Sequence, residues 1–219
     1  MQRRILHAFV RLLFDHLSHL DVVGLERIPL IGAYILATNH LSRIDSALVF
    51  ALLEREDVTG LVGDSYKKIW IMRWLLDIVG GIWVNRQAAD VGAMRESLEF
   101  LHKGGLLGLA PEGTRSHTGG LIPAKTGVAY LADKACVPII PIALYGTEHA
   151  IDMLLRLRRP TIHVRFGESF LLPPLDRRDR AAGLQRNTDE IMCRIAAMLP
   201  EGYRGVYSNN PRLHELFVT

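Results

Sequence analysis

Residues 32–55 read GAYILATNHLSRIDSALVFALLER, and the way this stretch folds decides the rest of the chain. The run led by Gly32 is apolar and stops at Asn39, the pattern of a buried strand; SALVFALLER, from Ser46 to Arg55, reads as a helix. His40 and Asp45 lie around the junction. A histidine moves protons near neutral pH, and a nearby carboxylate can aim it. On one continuous helix, positions five apart differ by about 500°, or about 140° after a full turn, and would face apart. The two side chains meet only if His40 sits in a loop and Asp45 in the first helical turn. The strand–loop–helix reading puts them there, at the strand's carboxyl end, where open α/β sheets build sites. Asp45 has a second reading. With Ser42 as cap, SRID fits a capping box, and the carboxylate then serves the helix terminus.

The pattern continues outward. VTGLVGD reads as a strand; KKIWIMRWLLDIVGG is helical through Val79 and broken at Gly80–Gly81, before a short strand IWV. DVGAMRESLEFLHKGG is a helix stopped by glycine, LLGLA a strand, AKTGVAYLADKA a helix, and VPIIPIALYG a proline-bounded core strand. TIHVRFGESFLL reads as another strand and AAGLQRNTDEIMCRIAAMLP as the last strong helix. Strands alternating with helices predict an α/β fold: a single domain with a mainly parallel central sheet flanked by helices.

At 219 residues, 49% hydrophobic and 22% charged, the chain supports one substantial core, and disordered or collagenous classes are excluded. The net charge is +3 and the pI about 9.0. The basic excess is uneven: Arg3, Arg4 and Arg11 face only Asp15 near the N-terminus, and seven arginines lie between Arg156 and Arg180. An anionic partner is expected, and the arginine-rich stretch either meets anionic headgroups or is a solvated surface. Cys136 and Cys193 lie in apolar settings without metal-type spacing, which predicts two buried free thiols.

Residues 3–20 form an amphipathic helix with Ile5, Phe9, Leu12, Leu13, Leu17 and Leu20 at helical spacing. Such a helix either covers the core or lies in the headgroup region of a membrane. The longest stretch without charged side chains, Ile28 to Ser42, has fifteen residues, short of the roughly 18 a spanning helix needs. No signal-peptide pattern opens the chain, so a protein that is soluble or lies on a membrane is expected.

APEGTRS, residues 110–116, follows a predicted strand. Gly113 permits close backbone approach, Thr114 and Ser116 offer hydrogen bonds, and Arg115 offers a fork for phosphate. An ordinary turn with solvated charges is the alternative. GGIWVNR ends a strand at Arg86, and Lys125 lies at the next helix start. In a parallel sheet, His40, Arg86 and Arg115 would share one rim. Neither a P-loop nor a dinucleotide fingerprint is present.

In this order the motifs resemble those of the glycerolipid acyltransferases, of the 1-acylglycerol-3-phosphate (lysophosphatidic acid) type. NHLSRID is similar to their N-H-x-x-x-x-D block, GGIWVNR to the second, PEGTRS to the third and VPIIPIAL to the fourth, all within residues 39–144. The resemblance implies that residues 1–20 are a membrane-interface helix and 21–219 the acyltransferase domain. It makes His40 the general base and Asp45 the residue that orients its imidazole. The acceptor oxygen would attack the thioester of acyl-CoA or acyl-carrier protein with no covalent acyl-enzyme. Arg86 and Arg115 would hold the acceptor's phosphate with help from Lys125, and Glu112, Gly113 and Thr114 would shape the acceptor site. No metal or bound cofactor is implied, and the place is peripheral or monotopic on the cytoplasmic face of the cell membrane. Ala110 and Ala124 stand where relatives often carry an aromatic residue, a departure that bears on the acceptor more than on the chemistry.

Two alternatives follow. One keeps the chemistry and changes the acceptor to another lysophospholipid, a glycolipid or an amino-acid lipid. The other is a peripheral lipid-binding protein without turnover, which would need neither His40 nor Asp45. Nucleic-acid binding has only the pI in its favour, with no interleaved aromatic–basic surface.

Overall fold

The apolar run after Gly32 forms the strand Tyr34–Thr38, buried through its three central residues, in a computed structural model that describes residues 1–85, 90–176 and 178–218. Among these residues the sheet has seven strands. They are β1 (His19–Val23), β2 (Tyr34–Thr38), β3 (Val58–Gly63), β4 (Ile82–Val84), β5 (Leu106–Leu109), β6 (Ile139–Tyr145) and β7 (Thr161–Phe166). Their order is β1-β7-β6-β2-β5-β3-β4. From β4 to β6 every pairing is parallel; β7 runs antiparallel to β6, and β1 follows β7. The expected α/β domain with a mainly parallel sheet is what forms.

Continuous apolar strands such as YILAT and IIPIALY suit a sheet whose two faces are both covered. The helices are α1 (Gln2–Leu17), α2 (Asp45–Leu52), α3 (Trp70–Val79), α4 (Val91–His102), α5 (Gly127–Ala135), α6 (Ala150–Leu155), α7 (Arg180–Met198) and α8 (Pro211–Val218). On one face Ile35, Leu107 and Ile139 pack with Leu101 of α4, Leu131 of α5 and Ile191 of α7. On the other, Leu36, Ile140 and Val164 pack with Leu48 of α2, Ala150 of α6 and Phe14 of α1. Pro141 fits within β6 because the ladder with β7 ends beside it: Gly167 N donates to Pro141 O at 2.9 Å.

Three local expectations change. The first helix ends at Leu17, where the Ser18 hydroxyl donates to Phe14 O at 2.6 Å, and Leu20 belongs to β1. A five-residue edge strand is too short to interrupt the helical period visibly, and its order comes from β7, which is distant in sequence. The strand expected over TIHVRFGESFLL stops at Phe166, with Phe170 returning to bridge Ile139. The helices α6 and α8, of six and eight residues, lie in segments to which the sequence reading assigns no element. Cys136 is exposed, because it ends α5 in the left-handed region (φ 51°), while Cys193 is buried on α7 as expected.

Candidate active site

β2 delivers His40 to the carboxyl edge of the sheet, and Asn39 fixes the exit. Its side-chain amide donates to Leu144 O and accepts from Leu144 N, both at 2.8 Å, so the loop leaves β2 tied to β6. His40 Nδ1 lies 2.8 Å from Asp45 Oδ2. The same oxygen accepts from Leu41 N and Ser42 N, each at 2.7 Å. Asp45 is 1% exposed, at the first residue of α2. The two readings of this carboxylate therefore coexist: it reaches back to the Ser42 N–H as a capping box does, and it also meets the imidazole. The reciprocal half of the box is missing, since no side chain caps the start of α2. Two backbone N–H groups already donate to Oδ2, so its contact with the ring is served by the tautomer in which Nδ1 donates, and Nε2 is the nitrogen left over.

The APEGTRS loop is laced to this histidine through its backbone. Glu112 Oε1 accepts from His40 N at 3.0 Å, Oε2 accepts from Ile122 N at 3.2 Å, and Ser116 N donates to His40 O at 2.8 Å. Glu112 is 2% exposed. Burial pushes its carboxyl up to about 7, with the Asp45 charge adding to the rise and the two backbone N–H groups opposing it. The Glu112 side chain is turned to backbone: both oxygens accept N–H groups and brace the two loops beside the cavity.

Gly113 and Lys125 do reach the cavity. Gly113 has φ +70°, and a Cβ there would meet Lys125 Cδ at 3.2 Å. Thr114 is exposed and Arg115 half-buried, and both belong to the loop whose backbone holds His40. Arg86 lies outside the described residues. Arg43, between His40 and Asp45, is an exposed cation on the cavity wall that the motif reading passed over. The signal was present, a guanidinium inside the His–Asp block. A second brace had no such signal. Leu121 N donates to Tyr203 O (2.9 Å), Val206 N to Leu121 O (3.1 Å) and Ala124 N to Tyr207 Oη (3.2 Å), so the segment after α7 holds the far side of the loop.

His40 and Asp45 open onto a cavity of about 890 Å³, at the upper end of the range for small-molecule sites. Its walls are largely apolar. Leu6 and Val10 of α1, Val49 and Phe50 of α2, and Met72 and Leu76 of α3 contribute. Gly60 and Gly108, paired across β3 and β5, also line it, and their lack of side chains leaves space over the sheet. Among the described residues, no group of three or more His, Cys, Asp or Glu is arranged to hold a metal ion.

The Glu112 brace has a pH signature. Its folded-state pKa of about 7 exceeds the ordinary value of about 4.3, so the native state holds a proton that the unfolded chain has released. This contribution to stability is complete below about pH 4 and is lost as pH rises through about 7. Thermal melts of Glu112→Gln should show a flatter dependence between those limits than wild type. An identical dependence in the two proteins would contradict the assignment.

A family model described as Acyltransferase matches residues 19–145, from β1 to the end of β6. The chain belongs to the acyltransferase family. Members similar to it include a chloroplastic 1-acyl-sn-glycerol-3-phosphate acyltransferase of Brassica napus, 30% identical over 66% of this chain and 44% of that protein. Enzymes of the same name from Limnanthes alba (32% identical, 73% of this chain and 56% of that protein) and Escherichia coli (31%, 66% and 58%) are also similar. The chain thus spans about half the length of the curated relatives it matches. Among solved structures, the 1-acyl-sn-glycerophosphate (LPA) acyltransferase PlsC of Thermotoga maritima superposes with a TM-score of 0.65. It is 24% identical, covering 86% of this chain and 76% of that one, a likeness of fold.

Proposed function

We propose that this acyltransferase-family protein moves a fatty acyl group from acyl-CoA or acyl-carrier protein to the free hydroxyl of a lysophospholipid. The preferred acceptor is 1-acylglycerol-3-phosphate, giving phosphatidic acid. The observation that carries the reading is the oriented His40–Asp45 pair at the mouth of a large apolar cavity. The names of the similar proteins point to the same acceptor.

In this mechanism His40 Nε2 takes the proton of the acceptor hydroxyl as its oxygen attacks the thioester carbonyl. The tetrahedral intermediate collapses to the ester and expels the thiolate, which recovers the proton from the imidazolium. Asp45 holds the ring in the required tautomer and balances its transient charge. A positioned base of this kind is worth about 10²- to 10⁴-fold. The apolar cavity takes an acyl chain, and Arg43 and Lys125 on its wall supply positive charge for a phosphate. Arg115, on the loop beside the cavity, adds to it where the acceptor extends over that loop, and Arg86 keeps the phosphate-binding role that the resemblance gives it. No resident metal or cofactor enters the scheme.

The reading also places the protein on a membrane, peripheral or monotopic at the cytoplasmic face, where both donors are found. Ile5, Phe9, Leu12 and Leu13 form an exposed stripe along α1, while Leu6 and Val10 of the same helix line the cavity. Helix α3 repeats the arrangement, with Trp70 and Trp74 exposed and Met72 and Leu76 turned to the cavity. Tryptophans with one apolar and one polar edge suit the headgroup level. Among the described residues, no helix is long and apolar enough to cross a membrane.

Relative kcat/KM over a panel of acceptors tests the substrate class. Lysolipids with a terminal phosphate should exceed neutral glycolipids and amino-acid lipids by about tenfold or more, and Arg43→Ala should remove most of that preference. Equal rates across the panel, or a preference for an uncharged acceptor, would exclude lysophosphatidic acid as the substrate.

A further inference from the structure

The connection from β6 to β7 ends in an exposed apolar tip. Leu155 is 79% exposed and Leu157 is 97% exposed. Leu157 adopts a left-handed conformation (φ 55°), which L-residues other than glycine and asparagine seldom take. The turn is held by its own backbone, with Leu157 N donating to Leu154 O and Arg158 N to Met153 O, both at 2.9 Å. Arg156 and Arg158 flank Leu157, both exposed and without a partner among the described residues. An apolar side chain held out between two uncommitted cations suits a medium that is oily inside and negative at its surface.

The tip is also tied to α1. Arg159 Nη2 donates to Asp15 O at 3.1 Å and to Ser18 O at 2.8 Å, the carbonyls that end the helix, and His19 N donates to Pro160 O at 2.8 Å. The carboxyl end of α1, with Leu13 and Leu17 exposed, is thereby joined to the loop that carries Leu155 and Leu157.

We propose that residues 154–159 are a second membrane-docking element, which inserts Leu155 and Leu157 among acyl chains and places Arg156 and Arg158 on anionic phospholipid headgroups. The proposal rests on the reading of α1 as a membrane-lying helix and extends the contact across the molecule. Arg159 acts from behind as the tether that keeps loop and helix at one level. An acidic protein such as acyl-carrier protein would satisfy the arginines but would leave the leucines without a reason to be exposed. The bilayer therefore accounts for more of the surface. An arginine near an anionic leaflet gains about 1 kcal/mol, equivalent to about fivefold in partitioning, so the pair is worth about 25-fold.

The test is flotation of the full chain with vesicles of phosphatidylcholine, alone or with phosphatidylglycerol added. Arg156→Gln/Arg158→Gln should bind the anionic vesicles about 25-fold more weakly and the neutral vesicles as wild type does. Leu155→Ser/Leu157→Ser should weaken binding to both. Phe9→Ser/Leu12→Ser on α1 reports separately on the underlying reading. Loss of binding in the α1 variant with both loop variants unchanged overturns the proposal and leaves the helix reading standing. A wild-type protein that binds neither vesicle overturns both. Loop variants that bind vesicles normally, but raise KM for acyl-carrier protein thioesters, would reassign the patch to the protein donor. All four proteins should share one far-ultraviolet circular dichroism spectrum, since every substituted residue is exposed.

Discussion

His40→Ala should lower kcat by about 10²- to 10⁴-fold while leaving KM for the lysolipid within a few-fold of wild type. The split follows from the geometry. The imidazole is fixed through Nδ1 by a buried carboxylate, and Nε2 is the nitrogen left to act. In the proposed mechanism, positive charge for the acceptor's headgroup is assigned to other residues, Arg43 and Lys125 on the cavity wall. A large rise in KM with unchanged kcat would instead make His40 a binding residue. Stability should change little, because Asp45 Oδ2 keeps its two backbone donors in the variant.

Asp45→Ala should be more damaging, because it removes activity and stability together. The substitution strands the buried N–H groups of Leu41 and Ser42 as well as the imidazole. Each unsatisfied buried donor costs about 1–3 kcal/mol, so a loss of about 2–6 kcal/mol is expected. Turnover should fall at least as far as in His40→Ala, since the histidine loses both tautomer and direction. Asp45→Asn separates the two effects. The amide oxygen can still accept from Leu41 and Ser42, so thermal stability should stay closer to wild type, while the imidazolium loses its counter-charge and the rate falls. Parallel losses of melting temperature and rate in the asparagine variant would mean that Asp45 acts only through the fold.

What could be read in advance was local. Gly32 through Arg55 declares a strand, a loop and a helix by period and composition, and the His40–Asp45 contact follows from where the loop ends. The parallel core is legible for the same reason: each of its strands is an apolar run set off by a helix. The failures lie where distant residues decide. PEGTRS gives no sign of the backbone that Glu112 braces, that of His40, 72 positions away, and of Ile122. The brace from Tyr203 and Tyr207 is invisible because it depends on where α7 ends relative to the loop. β1 is too short to announce itself, and its pairing with β7 joins residues 142 apart, as the 2.7 Å contact of Asp21 with His163 marks. Arg43 is a different kind of miss: it stood inside the motif and was passed over for arginines farther along.

The reaction itself is the most direct measurement. Purified protein incubated with 1-acylglycerol-3-phosphate and acyl-CoA or acyl-carrier protein thioester should form phosphatidic acid, releasing one thiol per ester made. The intact mass of the protein should be unchanged when the donor is supplied alone. Bound lysolipid with the thioester left intact would make the molecule a lipid carrier. An acylated protein mass would replace direct transfer with a covalent route, and either result would contradict His40 as the general base of a direct transfer.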